Sequence, residues 1–323
     1  MKKRILIIAS LSFAIFCNAQ KKIDAKNNEL IVSKKALNFI AMGDFGRNGE
    51  YGQKEVATQM GKTAKEFGAE FFLITGDNFY PSGVASTQDY TWLASYEQIY
   101  TAHSLQNPWY VVLGNHDYKG NIQAEIDYGK ISRRWNLPAK YYSKIANIND
   151  DSTQQVLFIF LNTTPFVTQY YNNDAFKENL ASQDTIAQKL WVENTLKNAS
   201  KNVKWKIVVG HHPLYTGGKR MESIDTKNMN DAFKPIFEKY NVDAYICGHE
   251  HNLQYIKPTD GVTHYFVTGS GSEASKPIIL HPNGGKFALN ENGFMAFSIT
   301  ATEIVVQIIN KDGNNLYKTS VKK

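Results

Sequence analysis

From residue 36 to residue 247 the chain alternates short apolar runs with amphipathic stretches of helical period, and this alternation does most to restrict the fold class. Residues 36–42, 70–75, 109–113, 155–161, 205–209 and 244–247 read as buried strands, being short and rich in β-branched or aromatic residues. Residues 53–67, 90–100, 185–199 and 228–240 read as helices between them. Strands that alternate with helices predict an α/β fold with much parallel pairing, because parallel neighbours need a long crossover. After His251 the texture becomes β-rich, with candidate strands at 253–257, 263–268, 293–300, 303–310 and 316–321 and turn signals such as Asp312-Gly313-Asn314. These predict antiparallel strands completing a second sheet. Residues 162–184 hold turn residues and aromatics without a clean period and read as one long loop, a class of segment that is often functional.

Just past the ends of the predicted strands stand five motifs that each open on glycine. They are Gly43-Asp44-Phe45-Gly46, Gly76-Asp77-Asn78-Phe79-Tyr80, Gly114-Asn115-His116-Asp117, Gly210-His211-His212-Pro213 and Gly248-His249-Glu250-His251-Asn252. The carboxyl ends of such strands are where α/β proteins build sites. Glycine lets the chain turn sharply off a strand and approach a ligand closely. The side chains offered are carboxylates, one amide, a phenol and imidazoles, a mixed oxygen and nitrogen set suited to iron, zinc or manganese rather than calcium. Five of the eight histidines of the chain lie in these motifs. Singly, each motif has an ordinary reading as a turn, a helix cap or a hydrogen-bonded pair. Together, in this order and each behind a strand, they point to a metal site.

The series GD, GDN, GNH, GH and GHxH is similar to the calcineurin-like metallophosphoesterases. Tyr80, three residues after Asp77, narrows the likeness to the purple acid phosphatases. The stretches 76–84, 109–121, 133–142 and 242–256 resemble the small, tartrate-resistant branch of that family. The resemblance implies an α/β fold of four layers, α/β/β/α, in which two mixed β-sheets are flanked by helices. It implies ferric iron on Asp44, Tyr80 and His251 with Asp77 bridging, and a divalent metal (Fe, Zn or Mn) on Asp77, Asn115, His211 and His249. A phenolate favours Fe(III), whereas neutral amide and imidazole donors suit a divalent partner. The activity implied is acid phosphatase, with hydroxide on the metals as nucleophile and phosphorylated small molecules or phosphopeptides as substrates. Phosphodiester or pyrophosphate cleavage at the same centre is the alternative, since metal ligands do not encode the ester.

His116, beside Asn115 but not itself assigned to a metal, is the candidate general acid, and Asp117 is the candidate to orient it. Where the small relatives carry a second pocket histidine, this chain has Arg220; either His212 or Arg220 is positioned to contact substrate phosphate. The animal relatives carry a disulfide beside a regulatory loop; this chain lacks those cysteines, although residues 162–184 stand where an active-site flap would.

The chain opens on Met1-Lys2-Lys3-Arg4, an apolar run to Cys17, and small residues at Cys17 and Ala19, which predicts an export signal over residues 1–19 cut after Ala19. A retained anchor and a lipoprotein cut before Cys17 are the competing readings. Removing the signal lowers the formal charge from +6 to +3, which is not a nucleic-acid-binding balance, and leaves Cys247 without a disulfide partner. The expectation is a periplasmic or secreted monomer without stable membrane insertion. It has a polar lead-in over 20–35 and one metallophosphoesterase domain over 36–323.

Overall fold

The computed structural model describes residues 29–274 and 278–323, so the signal over 1–19 and most of the lead-in lie outside the described residues. Strands β1 (Leu37–Met42), β2 (Phe71–Ile74), β3 (Trp109–Val111) and β4 (Trp135–Asn136) run parallel, each beside the next. A second sheet contains β5 (Tyr142–Ile148), β6 (Asp151–Phe160), β7 (Val203–Val209), β8 (Ala244–Cys247), β9 (Leu253–Ile256), β10 (His264–Thr268) and β11 (Gly285–Leu289). Its order is β11-β9-β10-β8-β7-β6-β5. The last strands, β12 (Gly293–Ile299), β13 (Glu303–Asn310) and β14 (Asn315–Lys322), return to the first sheet, whose order is β14-β13-β12-β1-β2-β3-β4. The strands after His251 therefore divide between both sheets rather than completing one. Every residue of β12 is buried, which suits an interior place beside β1, while the partly exposed β14 forms the edge.

The sheets pack face to face through aromatic rings. Phe39 of β1 meets Phe158 of β6 edge-on at 5.5 Å, and Phe266 of β10 meets Phe297 of β12 at 5.4 Å. Along β6 the residues alternate between two cores, Phe158 and Phe160 facing the other sheet and Leu157 and Ile159 facing outward. The outward residues are covered by Val192 and Leu196 of helix Thr185–Lys197 and by Met229, Phe233 and Phe237 of helix Ile224–Tyr240. On the far side, Val56, Met60, Ala64 and Phe67 of helix Gln53–Phe67 are buried toward β1 and β12. The layers are thus α/β/β/α. Among the described residues no helix is long and apolar enough to cross a membrane.

Two segments depart from the sequence reading. The helix predicted over 90–100 is one turn, Tyr90–Trp92, that widens into a π-type turn, Leu93–Glu97, while Trp92 and Tyr96 both sit against Trp135 at 5.0 Å. Packing of these rings overrides the regular helical pattern. Residues 162–184 are not one irregular loop either. They contain 3₁₀ turns and the helix Asp174–Leu180, capped by Asn173 and seated by the buried Phe176 and Leu180.

Candidate metal centre

The parallel strands β1, β2 and β3 of one sheet and β7 and β8 of the other end at the same rim, so the five glycine-led motifs converge there. Backbone bonds stitch the two sheets at that rim: Gly43 N–H donates to the Thr268 carbonyl (2.9 Å) and Gly271 N–H to the Gly43 carbonyl (3.0 Å). Asp44, Asp77 and His249 all adopt left-handed backbone, with φ of 57°, 50° and 69°, a conformation L-residues keep only when the surroundings enforce it. A Cβ on Gly114 would stand 2.2 Å from an Asp77 carboxylate oxygen and one on Gly248 2.2 Å from an Asp44 oxygen, so glycine there makes room for the carboxylates.

The side chains gather into two sets that share Asp77. In the first, the Tyr80 hydroxyl lies 3.1 Å from Asp44 Oδ1, 3.0 Å from Asp77 Oδ2 and 3.1 Å from His251 Nε2. A single phenolic proton cannot satisfy two carboxylates at once, and with His251 Nε2 beside them these ligand atoms are arranged as they would be around a cation. In the second, His211 Nε2 lies 3.1 Å from His249 Nδ1, 3.2 Å from Asn115 Oδ1 and 3.4 Å from Asp77 Oδ1. The two oxygens of Asp77 thus face different sets. His211 donates its Nδ1–H to the Thr75 carbonyl at 2.8 Å, which turns Nε2 into the cluster.

Burial pushes the Tyr80 phenol well above its ordinary range, and the Asp44 and Asp77 charges push it further, so cationic charge is needed for the phenolate to form. Burial works against ionisation of Asp77 as well, but the charge and hydrogen bond of His211 and the His116 backbone N–H hold its carboxyl far below the usual range. Burial lowers His212 and His249, each with a further contribution from neighbouring cationic groups.

His116 lies beside this cluster. Its Nδ1–H donates to the Pro81 carbonyl at 2.6 Å and its ring packs 4.4 Å from that of Tyr80, so Nε2 is the nitrogen left for other partners. Asp117 does not meet the His116 ring as the sequence reading had it. Its carboxylate lies beneath the loops, accepting from the backbone N–H groups of Gly114 (2.7 Å), Asn78 (2.8 Å) and Phe79 (3.2 Å). It therefore braces the segments that carry Asp77, Tyr80 and Asn115. Burial pushes the adjacent Glu125 up to about 8, and burial and the Glu125 charge raise Asp117 too. Hydrogen bonding favours the charge on Asp117, whose carboxylate faces three backbone N–H donors.

His212 has ligand nitrogens close to those of His211 and His249, yet both are engaged, Nδ1 with the Thr163 hydroxyl (2.8 Å) and Nε2 with the Tyr170 hydroxyl (3.0 Å). It is fully buried and forms a wall. Arg220 is partly exposed; its Nη1 donates to the His249 carbonyl (3.1 Å), and its guanidinium lies 3.6 Å from Asp225 and 3.7 Å from Glu250. Of the two candidate phosphate contacts, the arginine is the one with solvent-facing surface.

Four residues at the site escaped the sequence reading. Arg47 lies 3.7 Å over the Tyr80 ring, held by a 2.7 Å ion pair with Glu273. Asp225 meets His249 Nε2 at 2.9 Å, and Gln169 donates to Asp225. No local pattern marks them. Of the remaining histidines, His264 lies parallel to Tyr255 with Nδ1 2.8 Å from its hydroxyl, and His281 lies edge-on to Tyr215.

A family model for calcineurin-like phosphoesterases matches residues 37–253. The chain is 33% identical over 298 residues to purple acid phosphatase 4 of Arabidopsis thaliana, covering 89% of this chain and 84% of that protein. It is 34% identical over 308 residues to tartrate-resistant acid phosphatase type 5 of Oryctolagus cuniculus, covering 89% and 91%. Among solved structures, GAP50, the anchor in the inner membrane complex of Plasmodium, aligns with a TM-score of 0.76 at 23% identity over 90% of this chain and 89% of that one. Purple acid phosphatase PPD1 from yellow lupin (Lupinus luteus) seeds aligns with a TM-score of 0.60 at 15% identity over 90% and 54%. At these identities the two structures speak for the shared fold.

Proposed function

The chain belongs to the purple acid phosphatases of the calcineurin-like phosphoesterase family and is a metal-dependent hydrolase of phosphate monoesters; from that premise we propose which residues carry the reaction and which metals they hold. Ferric iron takes Asp44, Asp77, Tyr80 and His251, and a divalent iron, zinc or manganese takes Asp77, Asn115, His211 and His249. The observation that carries this reading is the crowding of two carboxylate oxygens and an imidazole nitrogen around the Tyr80 hydroxyl, a set of ligand atoms that a cation would satisfy. When bound, such a pair of cations supplies Lewis acidity toward the phosphoryl oxygens and lowers the pKa of water.

The chain's own groups have three tasks. His116 delivers a proton to the leaving oxygen from Nε2, since Nδ1 is committed to the Pro81 carbonyl. Arg220 supplies positive charge at the mouth for the phosphate, where His212 is closed off by Thr163 and Tyr170. Asp117 keeps the loops of the first sheet in register. Substrates are phosphorylated small molecules or phosphopeptides, and the pattern over residues 1–19 supports an exported, periplasmic or secreted location.

Metal analysis with a visible spectrum tests the assignment. Iron with a broad mid-visible band in the wild type, lost in Tyr80→Phe, is the expected result, and a colourless iron-loaded wild type overturns the ligand set. His116→Ala is expected to lower kcat by about 10²–10⁴-fold while metal content is kept. Turnover of a chromogenic monoester beside a diester separates phosphomonoesterase from diesterase action.

A further inference from the structure

The two imidazoles of the second set present opposite nitrogens to the cluster. His211 points Nε2 inward because its Nδ1–H is held by the Thr75 carbonyl (2.8 Å). His249 points Nδ1 inward, 3.1 Å from His211 Nε2, and its Nε2 lies 2.9 Å from Asp225 Oδ2. A neutral imidazole has one N–H and one lone pair, and a carboxylate can only accept. With Nε2–H given to Asp225, the Nδ1 lone pair is the one left for a cation.

We infer that Asp225 is a positioning residue that fixes the ring tautomer and orientation of His249, and so sets the affinity of the second metal position. This rests on the assignment of His249 as a ligand. Asp225 is well placed to do it. Its side chain is only 5% exposed, it stands in the first turn of helix Ile224–Tyr240, and it is anchored from two sides. Gln169 Nε2 donates to its other oxygen, and the Arg220 guanidinium lies 3.6 Å from the oxygen that His249 uses. Arg220 also holds the His249 carbonyl (3.1 Å), so ring and backbone of one residue are fixed by a single ion pair. Gln169 belongs to the 3₁₀ segment Thr168–Asn172, whose Tyr170 bonds His212. The segment over the site is thereby tied to the second metal position through Asp225, and withdrawing Gln169 should weaken the same position.

The test titrates zinc into the metal-free full-length protein against a chromogenic chelator, reading the number of sites and the affinity of each. Asp225→Ala and the isosteric Asp225→Asn are expected to lower the affinity of one site by about 10–100-fold and leave the other within about twofold. Gln169→Ala should weaken that same site by a smaller factor. Ring ¹⁵N spectra of the metal-free protein should show His249 protonated at Nε2 in the wild type and a tautomer mixture in Asp225→Ala, a change that a merely structural role would not produce. If both Asp225 variants keep two wild-type sites while His249→Ala loses one, the inference fails and the ligand assignment stands. If His249→Ala also keeps both sites, the ligand assignment fails and takes the inference with it. Asp225→Asn preserves shape, so the measurement does not depend on the alanine variant folding.

Discussion

Replacing Asp117 by alanine should cost this protein much of its stability before any chemistry is considered. The carboxylate accepts three backbone N–H groups, those of Gly114, Asn78 and Phe79, in a site where Asp117 itself is fully buried. Each buried donor left without a partner costs about 1–3 kcal/mol, and a water entering the vacated space recovers part of that, so the expected loss is about 3–6 kcal/mol. A single domain has about 5–15 kcal/mol in all, so the variant should unfold at much lower urea. In Asp117→Asn, whichever way the amide points, an NH₂ group faces a backbone N–H, and the expected cost is about 1–3 kcal/mol. His116→Ala, one residue away, keeps its backbone bond to Asp77 and loses the ring contact with Tyr80 and the bond to the Pro81 carbonyl, which lies where water can replace the lost donor, so about 1 kcal/mol is expected. Urea titrations of the three metal-free variants at pH 7, with m held common, make the comparison. An Asp117→Ala protein within 1 kcal/mol of wild type, or a His116→Ala protein as unstable as it, would refute the view that Asp117 braces the loops and His116 does not.

Phe158→Ala, which empties the centre of the inter-sheet core opposite Phe39 and Phe71, should cost about 3–5 kcal/mol in the same assay, and a loss under 1 kcal/mol would mean the sheets repack freely. Burial against Tyr255, with a smaller contribution from Lys257, pushes His264 down to about 4, below its ordinary 6.5. The unfolded chain therefore takes up this proton first, and His264 contributes stability above about pH 6.5 that is lost as pH falls toward 4, at most about 3 kcal/mol. His264→Gln should flatten the wild-type decline in stability between pH 7 and pH 4.5, and an unchanged slope would count against it.

The parts of this molecule legible in its sequence are those written in short stretches of chain. A buried parallel strand declares itself as an apolar run, and β1, β2, β7 and β8 could be located to within a residue or two because both faces of each are covered. The glycine-led motifs were readable for the same reason, each being one turn off one strand. Partner choice was not readable. Nothing local to Gln169, Asp225, Arg47 or Glu273 distinguishes a surface polar residue from one that props up an imidazole or a phenol, since the partners arrive from other elements. Glu125 is harder still, as a carboxyl in a short helix that turns out to be wholly buried against Asn78. The placement of β12–β14 was hidden because an antiparallel hairpin pattern states which strands are neighbours and not which sheet they join.

The position of the proposed site follows from the division of its candidate donors between the sheets. Asp44, Asp77, Tyr80 and Asn115 follow strands of the first sheet, whereas His211, His249 and His251 follow strands of the second. Oxygen donors therefore come from one layer and imidazoles from the other, and neither sheet alone presents a complete set for either position. A sheet-to-sheet slide of even one ångström would separate the Tyr80 hydroxyl from His251 and Asn115 from His211, contacts that now stand at 3.1 and 3.2 Å. The bonds joining Gly43 to Thr268 and to Gly271 lie at this rim, where such a slide would be felt. The inter-sheet aromatic core and the backbone stitches are thus conditions for binding as well as for folding, because they fix the separation on which both donor sets depend.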